Sequence, residues 1–393
     1  MRGKQGVESI NKAERLKEVA GVFLKLGATA FGGPAAHIAM MEQEIVQRRK
    51  WVSRETFLDL LGATNLIPGP NSTELAIHLG FVRAGWFGLI VAGSCFILPA
   101  MAIVWMLAAF YVHYQTLPEL SHILWGIKPV IIAIVVQALW NLTRTAIKGK
   151  AAVILGIIAL LTAVMGFNEI VILLVSGLLM MLFRNRTKLM KRNGMHSFIP
   201  VSLILASGAT AAGGAQYGPL SHWGLFWAFL KIGSVLYGSG YVLLAFLQSV
   251  FVDHYGSLTS QQLLDSVAVG QFTPGPVFTT ATFVGYIIHG NFGAVLATLA
   301  IFLPAFIFVA MLNPWVPRLR KSAWFGAFLD GVNIASLALM ASVSYQLSAT
   351  ALVNWLTWLL AAASLYLLVR FKLNSVWLVI GGGLLGWVYF AVK

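Results

Sequence analysis

Two short stretches of this chain carry residue types that could hold an anion. Pro68-Gly69-Pro70 is followed by Asn71, Ser72, Thr73 and Glu74, and Pro274-Gly275-Pro276 by Thr279, Thr280 and Thr282. A helix that restarts after such a break presents unpaired backbone N–H groups and the positive end of its dipole. Hydroxyl and amide side chains beside those groups add donors, which suits a dianion that accepts hydrogen bonds on every side. Gly32 and Gly33, ahead of Pro34, mark a further break, and its equivalent in the second half brings the helix starts to as many as four. With Asn65, Gln271 and two lysines, Lys25 and Lys231, they complete the candidate anion-binding set. The competing reading is that Pro and Gly only kink spans while Ser and Thr bond back to the preceding turn.

Ionisable residues inside apolar segments form the second set. Lys25 and Lys231 each sit within an apolar run, where a cation is costly enough to suggest a function; snorkelling to the interface is the alternative. Glu74 is a candidate proton carrier for coupled exchange, with a static ion pair as its alternative. His78, four residues on, could share its helix face. Asp59 and Asp265 are weaker coupling candidates, because each lies just inside a connector where capping is the ordinary role.

Other chemistries lack their residues. There is no clustered His/Cys set, P-loop or nucleotide-binding glycine fingerprint, so no cofactor is expected and ATP-driven transport would need a separate subunit. The single cysteine, Cys95, lies in an apolar run and reads as a buried thiol. No nucleophile with its base and no polar track open to lipid stands out, which argues against an enzyme or a lipid scramblase.

The elements that must position these residues are membrane helices. Of 393 residues, 59% are hydrophobic and 10% charged, too little polar surface for a soluble globule of this size. Apolar stretches recur along the whole length between short polar or basic connectors. The net charge of +14 sits mainly at the ends of those stretches, which points to topology rather than to nucleic acid.

The chain repeats itself. Phe23-Leu24-Lys25-Leu26-Gly27 falls on Phe229-Leu230-Lys231-Ile232-Gly233, and the two Pro-Gly-Pro motifs coincide at the same offset of 206. Asp59 falls on Asp265 and Thr73 on Thr279, while Glu74 falls on Thr280, so the halves differ there. Further on the offset is 205, pairing Phe87-Gly88 with Phe292-Gly293, Leu98-Pro99-Ala100 with Leu303-Pro304-Ala305, and Gly126 with Gly331. Such a register over so many helix breakers marks a duplication.

Basic residues then set orientation. Arg48, Arg49, Lys50 and Arg54 mark one connector as cytoplasmic, whereas its counterpart, 254–262, has no Lys or Arg. The connector 113–121 is also free of them, while Arg318, Arg320 and Lys321 fill its counterpart. This exchange predicts an all-α polytopic membrane protein with two homologous halves as an inverted-topology repeat, each with re-entrant or broken helical hairpins and a site near the midplane.

The expected organisation is a cytoplasmic amphipathic lead-in over 1–18, a first repeat over 19–183, a basic linker and connecting span over 184–222, and a second repeat over 223–393. Ala151 to Phe183 predicts two short helices with a turn near Gly166-Phe167-Asn168. Re-entrant hairpins keep every basic cluster inside, with the amino terminus cytoplasmic and the carboxyl terminus outside. Pairing of two copies is common for such carriers, although no pattern marks an interface.

Three motifs carry a family resemblance: Phe31-Gly32-Gly33-Pro34; Met41-Glu42-Gln43-Glu44-Ile45-Val46 with Arg48-Arg49-Lys50-Trp51-Val52-Ser53; and Leu66-Ile67-Pro68-Gly69-Pro70-Asn71-Ser72-Thr73-Glu74. Together they resemble the chromate ion transporter family, long-chain two-domain type. The resemblance implies chromate efflux across the bacterial inner membrane, driven by the proton gradient and conferring chromate resistance, with sulfate as the look-alike anion. The second half departs from the first motif, reading Tyr237-Gly238-Ser239-Gly240, and has Gln248 and Gln261 where the first has Glu42 and Glu55. One asymmetric site is as compatible with this as two equal ones. A sulfate or other oxyanion transporter remains open, and so does a passive anion channel, for which neutralising Glu74 would leave conduction intact.

Overall fold

The computed structural model describes residues 11–115, 117–147, 149–191, 220–237, 240–312 and 322–392. The start of the amino-terminal lead-in, the expected connecting span, Gly238, Ser239 and the cluster Arg318, Arg320 and Lys321 lie outside these residues. Fourteen α-helices and no strand are present among the described residues. The first half holds α1 (Lys12–Thr29), α2 (Gly33–Met41), α3 (Arg54–Thr64), α4 (Asn71–Tyr114), α5 (Pro118–Ala146), α6 (Lys150–Val164) and α7 (Glu169–Lys191). The second holds α8 (His222–Val235), α9 (Leu243–Leu247), α10 (Ser260–Phe272), α11 (Thr280–Leu312), α12 (Ala323–Ala351), α13 (Trp355–Phe371) and α14 (Ser375–Val392). Of these, α4, α5, α11 with its leading turn, α12 and α14 are long and apolar enough to cross a bilayer.

Both breaks of the first half fold the chain back on itself. Gly32 and Gly33 take φ of 103° and 77°, which only glycine adopts cheaply. They let α2 restart with Pro34 in its first turn, where a missing N–H costs nothing. Helix α2 runs on as a wider-wound turn, Glu42–Arg48. Its end returns to the start of α1: Arg49 donates to Glu18 at 3.1 Å, and so does the Trp51 indole at 3.1 Å.

The Pro68-Gly69-Pro70 turn then separates α3 from α4. Helix α4 is itself bent at Ala84-Gly85, where Gly85 has φ 67° and ψ −151°. Gly80 and Gly88 meet across that bend so closely that a Cβ on either would strike the other's carbonyl. Arg83, just before the bend, bonds Glu18 at 2.6 Å. The starts of α1 and α3, the end of α2 and the bend of α4 therefore share one side, that of Arg48, Arg49, Lys50 and Arg54, here named the basic side. Each arm of these hairpins, with 11 residues in α3, spans roughly half of a 30 Å hydrocarbon core.

From the bend, residues 86–114 cross to the far side, and α5, with 29 residues, returns. The second half copies the bend at His289-Gly290, with dihedrals within 10° of those at Ala84-Gly85. Asn291 beside it accepts from the Trp105 indole at 2.9 Å, on the far-side stretch of α4.

The halves interlock. Helix α5 packs against α13 and α14, and α12 packs against α6 and α7. Glycines permit both crossings: a Cβ at Gly126 would strike the carbonyl of Gly382, and one at Gly331 the carbonyl of Ser176. A single large apolar core accordingly mixes residues of the two halves, from Ile131 and Leu173 to Phe229, Phe278 and Leu339.

Candidate functional site

At the centre the two Pro-Gly-Pro turns are exchanged. The Gly69 amide donates to the carbonyl of Leu236, at the end of α8, at 2.8 Å, and the Gly275 amide donates to that of Ala30, at the end of α1, at 2.9 Å. Each break thus satisfies a carbonyl that a broken helix of the other half leaves unpaired. Ala30 O also accepts from His37 Nε2 at 3.1 Å. In the neutral ring this leaves Nδ1 as the acceptor for the Ser72 hydroxyl, 3.4 Å away.

Beside this junction lies a cavity of about 760 Å³. Its inner end is formed by Pro70, Asn71 and Ser72 of the first half and by Pro276, Val277 and Phe278 of the second. The first bonds of α4 run from Thr73 and Glu74 to Pro70 O, so the amides of Asn71 and Ser72 have no acceptor within the helix. Gly32 and Asn65 line the same cavity, and Asn71 donates to Asn65 at 2.9 Å. From there the cavity follows Gln137, Asn141 and Thr145 down α5 toward Ala146, opposite Asp330, Asn333 and Ser336 of α12. Because α5 ends on the basic side, the cavity leads there. Asp330 is the one charged lining residue among the described residues, and Arg184 of α7 pairs with it.

The expected residues fall into different settings. Gly32, Asn65, Asn71 and Ser72 line the cavity, and Gly33 sets the turn beside it. Gly69 and Gly275 are buried in the crossing and act through backbone geometry. The hydroxyls of Thr279 and Thr280, expected as donors to the anion, instead donate to Pro276 O and Val277 O at 2.8 Å each. A hydroxyl has one hydrogen, and here the local turn takes it. Gln271 is buried and accepts from the Tyr241 hydroxyl at 3.2 Å; Tyr241, in turn, lines the cavity.

Lys25 and Lys231 are exposed, on faces of α1 and α8 opposite those that bury Phe23 and Phe229, and neither lines the cavity. Exposure of both residues is what the snorkelling alternative expects.

Among the candidate coupling groups, Glu74 is fully buried, and neither of its oxygens has a hydrogen-bond partner. The Thr73 hydroxyl and both nitrogens of His78 are likewise buried without partners. Together they form a polar track along the first turns of α4. Asp59 is exposed on α3, whereas Asp265 is buried on α10, where Lys128 stands at 3.3 Å and Tyr111 donates at 3.0 Å.

Sequence reasoning did not pick out Gln137, Asn141 and Thr145, although their spacing of four puts them on one face of an apolar helix. Asp330, Asn333 and Ser336, spaced by three, carry the same signal on α12. His37 and Tyr241 gave none, since only the tertiary fold brings them to the breaks.

The matches to known proteins cover both halves. The family described as Chromate transporter matches residues 17–181 and again 223–387. A chromate transport protein of Cupriavidus metallidurans is 31% identical over 95% of this chain and 93% of its own length. A probable chromate transport protein of Synechococcus elongatus is 31% identical over 93% of each chain. A chromate transport protein of Pseudomonas aeruginosa is 28% identical over 94% of this chain and 91% of its own. No solved structure matches. With both halves matched and the lining of a polar cavity drawn from each, this multi-pass membrane chain belongs to the chromate transporter family.

Proposed function

We propose that this chain is a secondary active transporter that exports chromate, or a similar tetrahedral dianion such as sulfate, loading it from the cytoplasm through the cavity that leads to the basic side. The observation that carries this reading is that cavity's inner end, where helix starts of both halves present backbone donors beside Asn65, Asn71 and Ser72. Neutral donors and helix dipoles suit the loading end of the path, where the dianion must be taken up and passed on.

The basic residues around Arg48 to Arg54 support a cytoplasmic position for that side, in a bacterial inner membrane. Their counterpart in the second half lacks charge, which supports an inverted-topology repeat with an alternating site and the carboxyl terminus outside. Glu74 is the proton carrier of this reading: it is a buried carboxyl without hydrogen-bond partners, one turn from the donors. His78 extends the track. Efflux so driven would confer chromate resistance.

Flux in proteoliposomes tests the reading. Chromate flux that depends on an imposed pH gradient, and loses that dependence in Glu74→Gln, is the expected result. Gradient-independent flux that survives Glu74→Gln would establish a passive pathway instead, and sulfate flux without chromate flux would reassign the substrate.

A further inference from the structure

The two halves are alike in sequence, yet their inner hairpins are packed differently. Helix α10 buries eight of its residues, from Leu263 to Gln271, against α5, α12 and α14. Its counterpart α3 buries only Phe57, Ala63 and Thr64, and its principal neighbours are α2's end and α4. The equivalent residues Leu264 and Leu58 make the contrast numerical, at 0% and 48% exposure. On the basic side, the space between the tip of α3, at Asn65, and α12, at Asn333, is the cavity itself. On the far side the matching space is closed.

The closure is made of three polar groups. Asp265 of α10 meets Lys128 of α5 at 3.3 Å and accepts from the Tyr111 hydroxyl of α4 at 3.0 Å. Tyr111 packs in turn against Phe283, ring centroids 5.2 Å apart. At the offset of 205, Lys128 is the equivalent of Asn333, and Asn333 lines the open cavity.

Resting on the alternating-carrier reading above, we propose that Lys128 is a specificity-determining contact for the transported anion, used only in the opposite-facing state and occupied here by Asp265. Exchange of the two packings would separate α10 from α5 and open a far-side cavity. Lys128 would line that cavity as Asn333 lines this one. The dianion and Asp265 then compete for one ammonium group: anion at Lys128 keeps the far side open, and its departure returns Lys128 to Asp265 and recloses it. The halves thus differ in charge where it matters, with a neutral amide on the loading side and a cation on the releasing side. Separating a buried pair leaves uncompensated charges, so without an anion at Lys128 its pair with Asp265 favours the closed state.

The test uses the full chain in proteoliposomes, with chromate as the probe, and compares Lys128→Gln, Lys128→Arg, Asp265→Asn and the double variant Lys128→Gln/Asp265→Asn. Loss of one charge-assisted contact corresponds to roughly tenfold or more. Expected are at least about a tenfold loss of flux in Lys128→Gln, retention of most flux in Lys128→Arg, and a double variant that is stable but still slow. A double variant with native flux would overturn the proposal, because Lys128 would then serve only to neutralise Asp265. Labelling of Asn333→Cys in a Cys95→Ser background, by an impermeant thiol reagent, separates the two levels. Equal reaction from both sides sinks the alternating carrier itself; one-sided reaction combined with a native-like double variant sinks only the role of Lys128.

Discussion

The amide of Gly69 and the carbonyl of Leu236, 2.8 Å apart, belong to different halves of the chain, and Gly275 repeats the bond to Ala30 at 2.9 Å. Each turn is thereby held by the other half's broken helix, so neither half can complete its hairpins alone. Both glycines have positive φ, 140° and 87°, and a side chain at either is strained. A Cβ at Gly275 would also lie 2.5 Å from the Ala100 Cβ and 3.2 Å from Gly27 O, whereas one at Gly69 meets mainly the end of the Glu74 side chain. Gly275→Ala is expected to cost about 2–4 kcal/mol and Gly69→Ala less, read from unfolding midpoints in detergent. Equal costs would mean that backbone strain alone decides the effect.

Glu74→Gln is expected to leave stability unchanged or slightly raised, because it replaces a buried carboxyl without partners by an amide of the same shape. Its transport should lose dependence on the pH gradient. A marked drop in melting temperature would show that Glu74 is a structural group.

The crossings at Gly126 and Gly331 leave no room for a side chain beside Gly382 and Ser176. Gly126→Leu or Gly331→Leu should each destabilise by about 3 kcal/mol or more, since two backbones must separate. Gly326→Ala, on α12 with nothing within 4 Å of its Cβ, is the control and should be near neutral. Thermal unfolding measured by loss of monodisperse protein distinguishes the three.

The α5 residues Gln137, Asn141 and Thr145 share the cavity wall. Asn141→Leu should reduce chromate flux about tenfold without loss of stability, because it removes donors from the path while adding apolar surface. The same replacement at Trp140, exposed on the opposite face of α5, should leave flux intact.

Acid should loosen the basic side. The hydrogen bond from Arg49 to Glu44, at 2.9 Å, holds the Glu44 carboxyl below its ordinary range, opposed in part by burial and reinforced by Arg48. A depressed carboxylate contributes stability above its unfolded value, near 4.3, and that contribution is lost as pH falls through the folded value. Hydrogen exchange over residues 42–51 should therefore quicken below about pH 4, and Glu44→Gln should weaken the pH dependence, leaving the part that Glu18 contributes through Arg49 and Trp51.

The sequence by itself determined the helices, the duplication and the breaks. Apolar runs admit only helices across a bilayer, and Pro-Gly-Pro admits only a turn wherever it falls. It also pointed to Asn65, Asn71 and Ser72, because a helix start with polar side chains carries its own donors. What it could not fix was the surroundings that each of two equivalent residues would meet. Asp59 and Asp265 match in type and register, yet one is exposed on α3 and the other buried against Lys128. Thr279 matches Thr73, yet its hydroxyl is taken by the preceding turn while that of Thr73 has no partner. Those differences come from packing: α10 is closed against α5, and α3 stands apart from α12. A repeat encodes both arrangements equally, and only the tertiary fold, which packs α10 against its neighbours and leaves α3 largely exposed, assigns each half its surroundings.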